Sequence, residues 1–476
     1  MKKISILAMA ATILCCFASK TFAQHELASN ELLYHSVRVV QSNDLNPAFF
    51  PRKTSEYLSL PQFNTSFGLP LSYKEVGLKY DAATDKSYLN INELMQALGD
   101  GNNKFNFNTN INLIGFGINL GQYYVTFSTK LAMNATISVP TDVFKVISNM
   151  KGNNWVGKEN AAQIASDDLL LFNSYMRVSL GAGYHFVSIP LTIGAHVNIL
   201  DGILNINTDK TNINIYATDQ YYSSIIGDVN YHVRRAGFID IDTNYKVNIT
   251  DMPSNMGVTF DLGAAFELND FEFSASLLDI GPGIHWKQNV INTTPRGTKI
   301  EFNGFDISNI IHGGSFDTNF AANFKDSVMR VVNAQNEVTG DFWYSIPTKL
   351  NLGASYTFCN EMLKAGFLFH GEWEKGLIRS GAGFNIPQNT FRYNTTLSLT
   401  ANLLDWVEVM VGNSFVFDGG NTDLLNPGIG IVLTPLTAFQ IYAVADYLSS
   451  FYLVESKTFN CTLGINLLFG SVRRPQ

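Results

Sequence analysis

Charge is scarce in this chain. Asp, Glu, Lys and Arg supply 15% of its 476 residues, against roughly 25% in an ordinary soluble protein, so much of its surface is not built to face water. A basic surplus is lacking too: the net charge is −8 and the pI about 5.5. That excludes the basic face of a nucleic-acid binder, and no nucleic-acid partner is expected. Cysteine is nearly absent, with four in the chain, two of which (Cys15 and Cys16) lie in an N-terminal apolar run. Cys359 and Cys461 stand about a hundred residues apart with no CxxC spacing anywhere, which supports neither a disulfide framework nor a zinc site. Phosphate-cradling glycine loops, HExxH and EF-hand patterns are also missing. No cofactor and no metal are expected.

Apolar runs fit for a membrane-spanning helix are lacking as well. Lys2 and Lys3 precede an apolar run from Ile4 to Ala18, and Ser19 to Ala23 supply small residues for cleavage. About fifteen apolar residues fall short of the roughly 20 a helix needs to span a bilayer. The pattern predicts a secretion signal over 1–23, cleaved after Ala23. Two later stretches are nearly uncharged. Phe105–Thr129 carries Asn106, Asn108, Asn110, Asn112 and four further Gly or Asn residues, which lipid-facing helices tolerate poorly. Leu424–Ala445 contains Pro435 near its middle, where a helix would break.

What is present is alternation with a period of two, the signature of strands. Tyr123, Val125, Phe127, Leu131 and Met133 alternate with Tyr124, Thr126, Ser128 and Lys130. The pattern returns with Met176 to Phe186 opposite Tyr175, Arg177, Ser179, Gly181 and Gly183. It recurs with Val258 to Phe266 opposite Thr259, Asp261, Gly263 and Glu267, and with Leu350 to Phe358 opposite Lys349, Asn351, Ser355 and Thr357. These strands run to about ten residues or more, the length of a tilted membrane-crossing strand, where soluble strands average five or six.

The turns then alternate in size, as they do in outer-membrane barrels. Tight turns are expected at Asn119–Gln122, Val187–Pro190, Leu268–Asp270, Cys359–Met362, Leu403–Trp406 and Thr434–Thr437. Longer connections are expected at Pro140–Leu171, Leu204–Asn255, Gly283–Phe342, Glu374–Thr390, Asp418–Leu425 and Ser449–Thr458. With a first strand near Tyr57–Leu69 and a last at Phe459–Gly470, the reading is an all-β chain. It forms a closed antiparallel transmembrane β-barrel of about 14 strands, an even number with both termini on the periplasmic side. Leu377–Phe384 is an additional strand candidate. Closure follows because no backbone group can stay unpaired in lipid. The expected domains are the signal at 1–23, an N-terminal periplasmic or plug segment at 24–55 and the barrel at 56–476. The implied partners are outer-membrane lipid and the machinery that inserts barrels.

Asn46-Pro47-Ala48, just before the first strand, resembles the N-terminal NPA segment of the long-chain fatty-acid transporter-like barrels. Gly257–Ala264, Ser274–Gly281 through Trp286, and Phe439–Tyr442 add to it. Together these look like an uncharacterised Bacteroidetes-type branch of the FadL-like barrels, over nearly the whole mature chain. The resemblance implies a plug, or hatch, in the lumen with Asn46, Pro47 and Ala48 in its gate. It also implies passive uptake of a small hydrophobic or amphiphilic compound, with a scaffold or shuttle for surface-protein export as the alternative. In a transporter, a continuous apolar pocket between hatch and wall is then expected.

His370, Glu372 and Glu374 share one face of a strand by the period of two and form the best acid–base cluster on a strand. No serine falls in register to complete an acyl-transfer set. The cluster therefore reads as lumen or rim polar residues, the chain reads as a non-enzyme, and hydrolysis ranks third among its functions. Short amphipathic helices are expected in the long connections at Asp142–Met150 and Asp326–Val332.

Overall fold

The computed structural model describes residues 30–36, 38–50, 54–71, 78–81, 86–89, 98, 102–142, 156–166, 169–218, 225–237, 239–240, 246–247, 254–295, 299–302, 334–338, 340–374, 378–379, 390–418, 421–436, 438–448 and 457–470. The chain forms a closed antiparallel barrel of 14 strands. The first strand, β1, comes in two pieces, Glu56–Ser59 and Gln62–Gly68, parted at Leu60-Pro61, where proline removes a ladder donor. There follow β2 (Asn102–Asn119), β3 (Tyr123–Pro140), β4 (Leu170–His185), β5 (Leu191–Ala217), β6 (Met256–Leu268) and β7 (Phe271–Trp286). The second half comprises β8 (Thr348–Phe358), β9 (Leu363–Glu374), β10 (Thr390–Leu404), β11 (Val407–Asp418), β12 (Asn421–Leu436), β13 (Phe439–Asp446) and β14 (Thr458–Phe469). Each pairs with its sequence neighbour. The ring shuts where β14 pairs with β1, Phe63 opposite Leu463 and Tyr57 opposite Leu468. A closed ring has no edge, so every ladder group has a partner strand.

The period of two decides which side chains meet lipid. On β2, Phe105, Phe107, Phe116 and Ile118 point outward and are exposed, while Asn106, Asn108 and Asn112 point inward and are buried. A bulge between Asn112 and Ile114 shifts the register, which is why Leu113 and Ile114 are both exposed in sequence. The wall is therefore apolar outside and amide- and hydroxyl-rich inside, the inverse of a soluble sandwich. Aromatic rings mark both ends of the band. Near the tight turns, Tyr123 packs against Tyr184 and Phe271 against Tyr356, with ring centroids 4.8 and 4.6 Å apart. Near the long connections, Trp373 meets Phe391 and Tyr393 meets Phe417, at 4.7 and 5.0 Å.

The expected turn rhythm holds in most places. The connection at Asp418–Leu425 is the exception: β11 ends at Asp418 and β12 begins at Asn421, so only Gly419 and Gly420 part them and the hairpin is short. Of the extra strand expected at Leu377–Phe384, the described residues are Ile378–Arg379, which pair with Trp343–Tyr344 outside the ring of 14. At the long-connection end β5 runs on to Ala217 and pairs with the strand Ile225–Gly237, so part of the connection is itself a hairpin standing on the barrel. The secretion signal, the two loop helices and the connection Ser449–Thr458 lie wholly or almost wholly outside the described residues.

Residues 30–50 fold back into the barrel as two short 3-10 helices, Glu31–His35 and Val40–Asp44, every residue of which is buried except Asp44. Each is too short to persist in water alone; the wall holds them. Leu32, Leu33 and Val39 pack on Met410, Val432, Tyr442 and Val444 of β11, β12 and β13. At the long-connection end a second apolar cluster, built on Trp286, Phe342, Tyr344, Leu200 and Ile284, lies across the barrel's mouth.

Candidate functional site

Asn46-Pro47-Ala48 sits against the inner wall, and its amide is fully used. The Asn46 Oδ1 accepts from the Ala48 N–H at 2.9 Å, and Nδ2 lies 3.2 Å from the Tyr34 hydroxyl and 3.3 Å from the carbonyls of Ala264 and Ala275. The oxygen closes a local turn and the nitrogen binds the wall, a division that only a short carboxamide performs. Tyr124 of β3 donates its hydroxyl to the Pro47 carbonyl.

The wall is hollowed beneath this segment by glycine. Gly183, Gly194 and Gly263 are successive register partners across β4, β5 and β6. A Cβ on Gly194 would stand 2.1 Å from the Pro47 carbonyl oxygen, and one on Gly263 2.1 Å from Asn46 Oδ1. The seat continues round the barrel. A Cβ on Gly353 or Gly366 would strike Tyr34 or His35, at 2.5 and 2.4 Å, and one on Gly412 or Gly428 would strike Leu32, at 2.6 and 2.8 Å. All these glycines lie on lumen-facing positions, so the plug and the wall are shaped to one another.

Polar ties complete the docking. Lys130 of β3 binds Asp44 at 2.7 Å. Gln41 and Asn466 exchange a reciprocal pair of amide hydrogen bonds, 2.8 and 3.0 Å. Asn43 donates to the carbonyls of Pro47 and Phe49, which turns its oxygen toward His196, whose Nε2–H donates to it at 2.9 Å. At the tight-turn end, Ser36 donates to Glu408 at 2.6 Å while the Arg38 guanidinium donates to the carbonyls of Asp405 and Leu404.

His370 and Glu372 come together on β9, with Nε2 3.9 Å from Oε1, both buried. The side chain of Glu374 lies outside the described residues. Their role is set by what surrounds them. The His370 Nδ1–H donates to Asn351 Oδ1 at 2.6 Å, and the Asn351 amide nitrogen donates to the Leu45 carbonyl at 3.0 Å, so the cluster is wired to the plug. Lys349 faces Glu372 at 3.6 Å. Across the lumen, Arg177 pairs with Asp279, whose backbone N–H donates to Asp261 at 2.8 Å. Asp279 has a φ of 58° at a bulge of β7, a conformation that Asp accepts more readily than most residues. Asn198 donates to the other oxygen of Asp261 at 2.9 Å, and the Nδ1 of His196 lies 3.3 Å from it.

These groups line one chamber of about 160 Å³. Its wall residues stand in one belt, six to eleven residues along each strand from the tight-turn end. Gln41, Asp44 and Leu45 of the plug form its floor, and Ala132, Tyr175 and Ile346 of the apolar mouth cluster form its ceiling. Three ion pairs face it: Lys130–Asp44, Arg177–Asp279 and Lys349–Glu372. The apolar pocket expected between hatch and wall is therefore replaced, in the described lumen, by a polar chamber, because its inner strand positions are amides, hydroxyls and paired charges. Among the described residues no group of three His, Cys, Asp or Glu side chains is placed to hold a metal ion. The sequence singles out Asn46-Pro47-Ala48 and His370–Glu372 but not Lys130, Arg177, Asp279 or Lys349, which alternation marks as lumen-facing without saying what they meet.

No curated protein matches the chain. Among solved structures, it is similar to a Pseudomonas aeruginosa FadL homologue (10% identity, 95% of this chain and 100% of that one, TM-score 0.48). It is also similar to a TodX mutant described as a monoaromatic hydrocarbon channel (9% identity, 95% and 96%, TM-score 0.47). A third similar structure is the Pseudomonas putida toluene transporter TodX (10% identity, 94% and 94%, TM-score 0.42). The fold stands on its own strand pairing. A family model matches residues 47–446, from the seated Pro47 through thirteen strands to the buried Asp446, and the chain accordingly belongs to the family described as a family of unknown function (DUF5723).

Proposed function

We propose that this protein is a passive conduit for a small solute across the outer membrane of a Gram-negative bacterium. The tight turns and both termini face the periplasm, and the segment Asn46, Pro47 and Ala48 is the gate. The observation that carries this reading is the chamber: a cavity at mid-barrel, with the plug as floor and an apolar cluster as ceiling. A barrel serving only as a structural wall has no use for it. Of the solutes implied by the resemblance, a purely apolar one is the poorer fit, since an apolar molecule would displace water from the chamber's charged and amide groups without replacing its hydrogen bonds. The polar part of an amphiphile fits better. His370 and Glu372 act as chamber wall and not as acid and base, each being engaged by Asn351 or Lys349.

The test is conductance of the full chain in planar bilayers. Wild type is expected to pass small, intermittent currents, and Asn46→Ala, which frees the gate from Tyr34 and the wall, to raise them severalfold. Silence in both, with a surface protein co-purifying from native membranes, would replace the conduit by the export scaffold.

A further inference from the structure

With the plug seated, both ring nitrogens of His196 face acceptors. His196 lies on β5, 5% exposed, between its register partners Gly181 of β4 and Asp261 of β6. Its Nε2 stands 2.9 Å from Asn43 Oδ1 and its Nδ1 3.3 Å from Asp261 Oδ2. Each acceptor is fixed as one by its other bonds. The Asn43 amide nitrogen is spent on the Pro47 and Phe49 carbonyls, at 3.1 and 2.7 Å, and a flipped amide would set its oxygen against both. Asp261 accepts from the Asp279 backbone N–H at 2.8 Å and from Asn198 at 2.9 Å, the role of an ionised carboxylate. A neutral imidazole carries one N–H and can serve only one of the two. The other contact would then set a lone pair against an oxygen.

Without the plug that demand disappears. A neutral ring then gives its Nδ1–H to Asp261 and turns a bare Nε2 to water. Seating Asn43 places an acceptor at Nε2 and so calls for a second proton. The other titratable groups around this stretch of lumen are engaged elsewhere. Arg177 of β4 pairs with Asp279 of β7, and Lys130 of β3 with Asp44 of the plug. Tyr124 of β3 donates to the Pro47 carbonyl, and the Tyr57 phenol of β1 is buried against Val40 and Phe50. Beside His196 lies a recess of about 20 Å³ that shares Gln41, Asp44 and Asn112 with the chamber. It has room for about one water, which gives the ring a route to solvent protons. We propose that docking of the plug takes up one proton on His196, so that an imidazolium bridging Asn43 and Asp261 holds the gate shut and lets go as pH rises. This regulates the gate of the conduit and rests on that reading for its effect on passage, though not for the docking itself. On the alkaline side of the imidazole range, where a ring in water is neutral, the docked state binds the extra proton. Its contribution to docking is therefore full in acid and falls by up to about tenfold per pH unit above that range.

Three measurements on the full chain separate the claims. In protein labelled with nitrogen-15 histidine, NMR at about pH 7.5 is expected to show both ring nitrogens of His196 protonated, the signals being assigned by their loss in His196→Gln. Hydrogen-exchange protection factors at Asn46, Ala48 and Phe49 are expected to fall severalfold from about pH 7 to about pH 9, and bilayer currents to rise over the same range. Asn43→Leu removes the acceptor and His196→Gln the titrating group, so each should flatten both pH dependences. Heat-modifiable migration on gels confirms that each variant is folded, and using both keeps the test open if one is not. A neutral His196 in docked wild type, or a pH dependence of protection unchanged in both variants, overturns the proposal and leaves the conduit standing. Protection that falls with pH while the currents stay level keeps the proton and ends the reading of this segment as the gate.

Discussion

Gly263 lies so close beneath Asn46 that a Cβ added to it would stand 2.1 Å from the Asn46 amide oxygen. With Gly194 equally close to the Pro47 carbonyl, the plug rests on the bare backbone of two adjacent strands. An absent side chain on the wall is thus as much part of the plug's seat as the residues that fill the space.

Gly263→Leu and Gly194→Leu are expected to evict the Asn46–Ala48 segment while leaving the ring closed, since both positions face the lumen. Conductance should rise and the hydrogen exchange of residues 38–48 should speed up, with heat-modifiable migration unchanged. Unaltered exchange in both variants would show that the wall shifts instead of the plug.

Asn46→Asp is a finer probe than truncation. The oxygen facing the Ala48 N–H survives, but the group facing the Ala264 and Ala275 carbonyls becomes an acceptor against acceptors. The docked plug is expected to lose on the order of 1–3 kcal/mol, read as faster exchange at Tyr34, Asn46 and Ala48. Protection equal to wild type would mean that the amide nitrogen contributes little.

Acid should loosen the plug through His35. Burial, helped by the nearby Lys364 ammonium, pushes this imidazole down to about 4, against the opposing Glu272 carboxylate and the bond from its Nε2–H to the Phe367 carbonyl. Lys364 and Glu272 are themselves paired at 3.3 Å. Released into water, His35 would take a proton below about pH 6.5. Between about pH 6.5 and 4 the undocked state therefore binds more protons, so docking is strongest above that window and is lost as pH falls through it. Exchange of residues 31–36 should accelerate from pH 7 to pH 5, and His35→Gln should flatten that dependence. An equal response in the variant would assign the effect to other groups.

The two cysteines report orientation. Cys359 is exposed in the tight turn after β8, with a φ of 53°, while Cys461 is half-buried on β14 between the lumen-facing Asn460 and Thr462 and so turns toward lipid. A membrane-impermeant maleimide is expected to label Cys359 in cells with a permeabilised outer membrane, not in intact ones, and Cys461 in neither. Labelling of Cys359 in intact cells would turn the barrel over.

The barrel was legible in the sequence because a period of two is a local property. Val258, Phe260 and Leu262 against Thr259, Asp261 and Gly263 declare their two faces without reference to any other strand, and tight turns such as Leu268–Asp270 can be found the same way. The short hairpin between β11 and β12 is not legible in the same way, because Asn421–Leu425 has no clear alternation and only pairing with β11 extends β12 back to Asn421. Asn46-Pro47-Ala48 was visible as a motif and His370–Glu372 as a face.

What they touch was decided by the tertiary structure alone. Asn351 joins His370 to the Leu45 carbonyl, and the glycines of β4, β5, β6, β8, β9, β11 and β12 become a seat only when the ring closes around residues 30–50. In sequence each is one more small residue on an inner face. The sequence by itself determined the wall, since lipid outside and paired backbone within are demands on each strand in turn. The chamber and its ion pairs are contacts between strands far apart in the chain, and only closure brings such residues to one level.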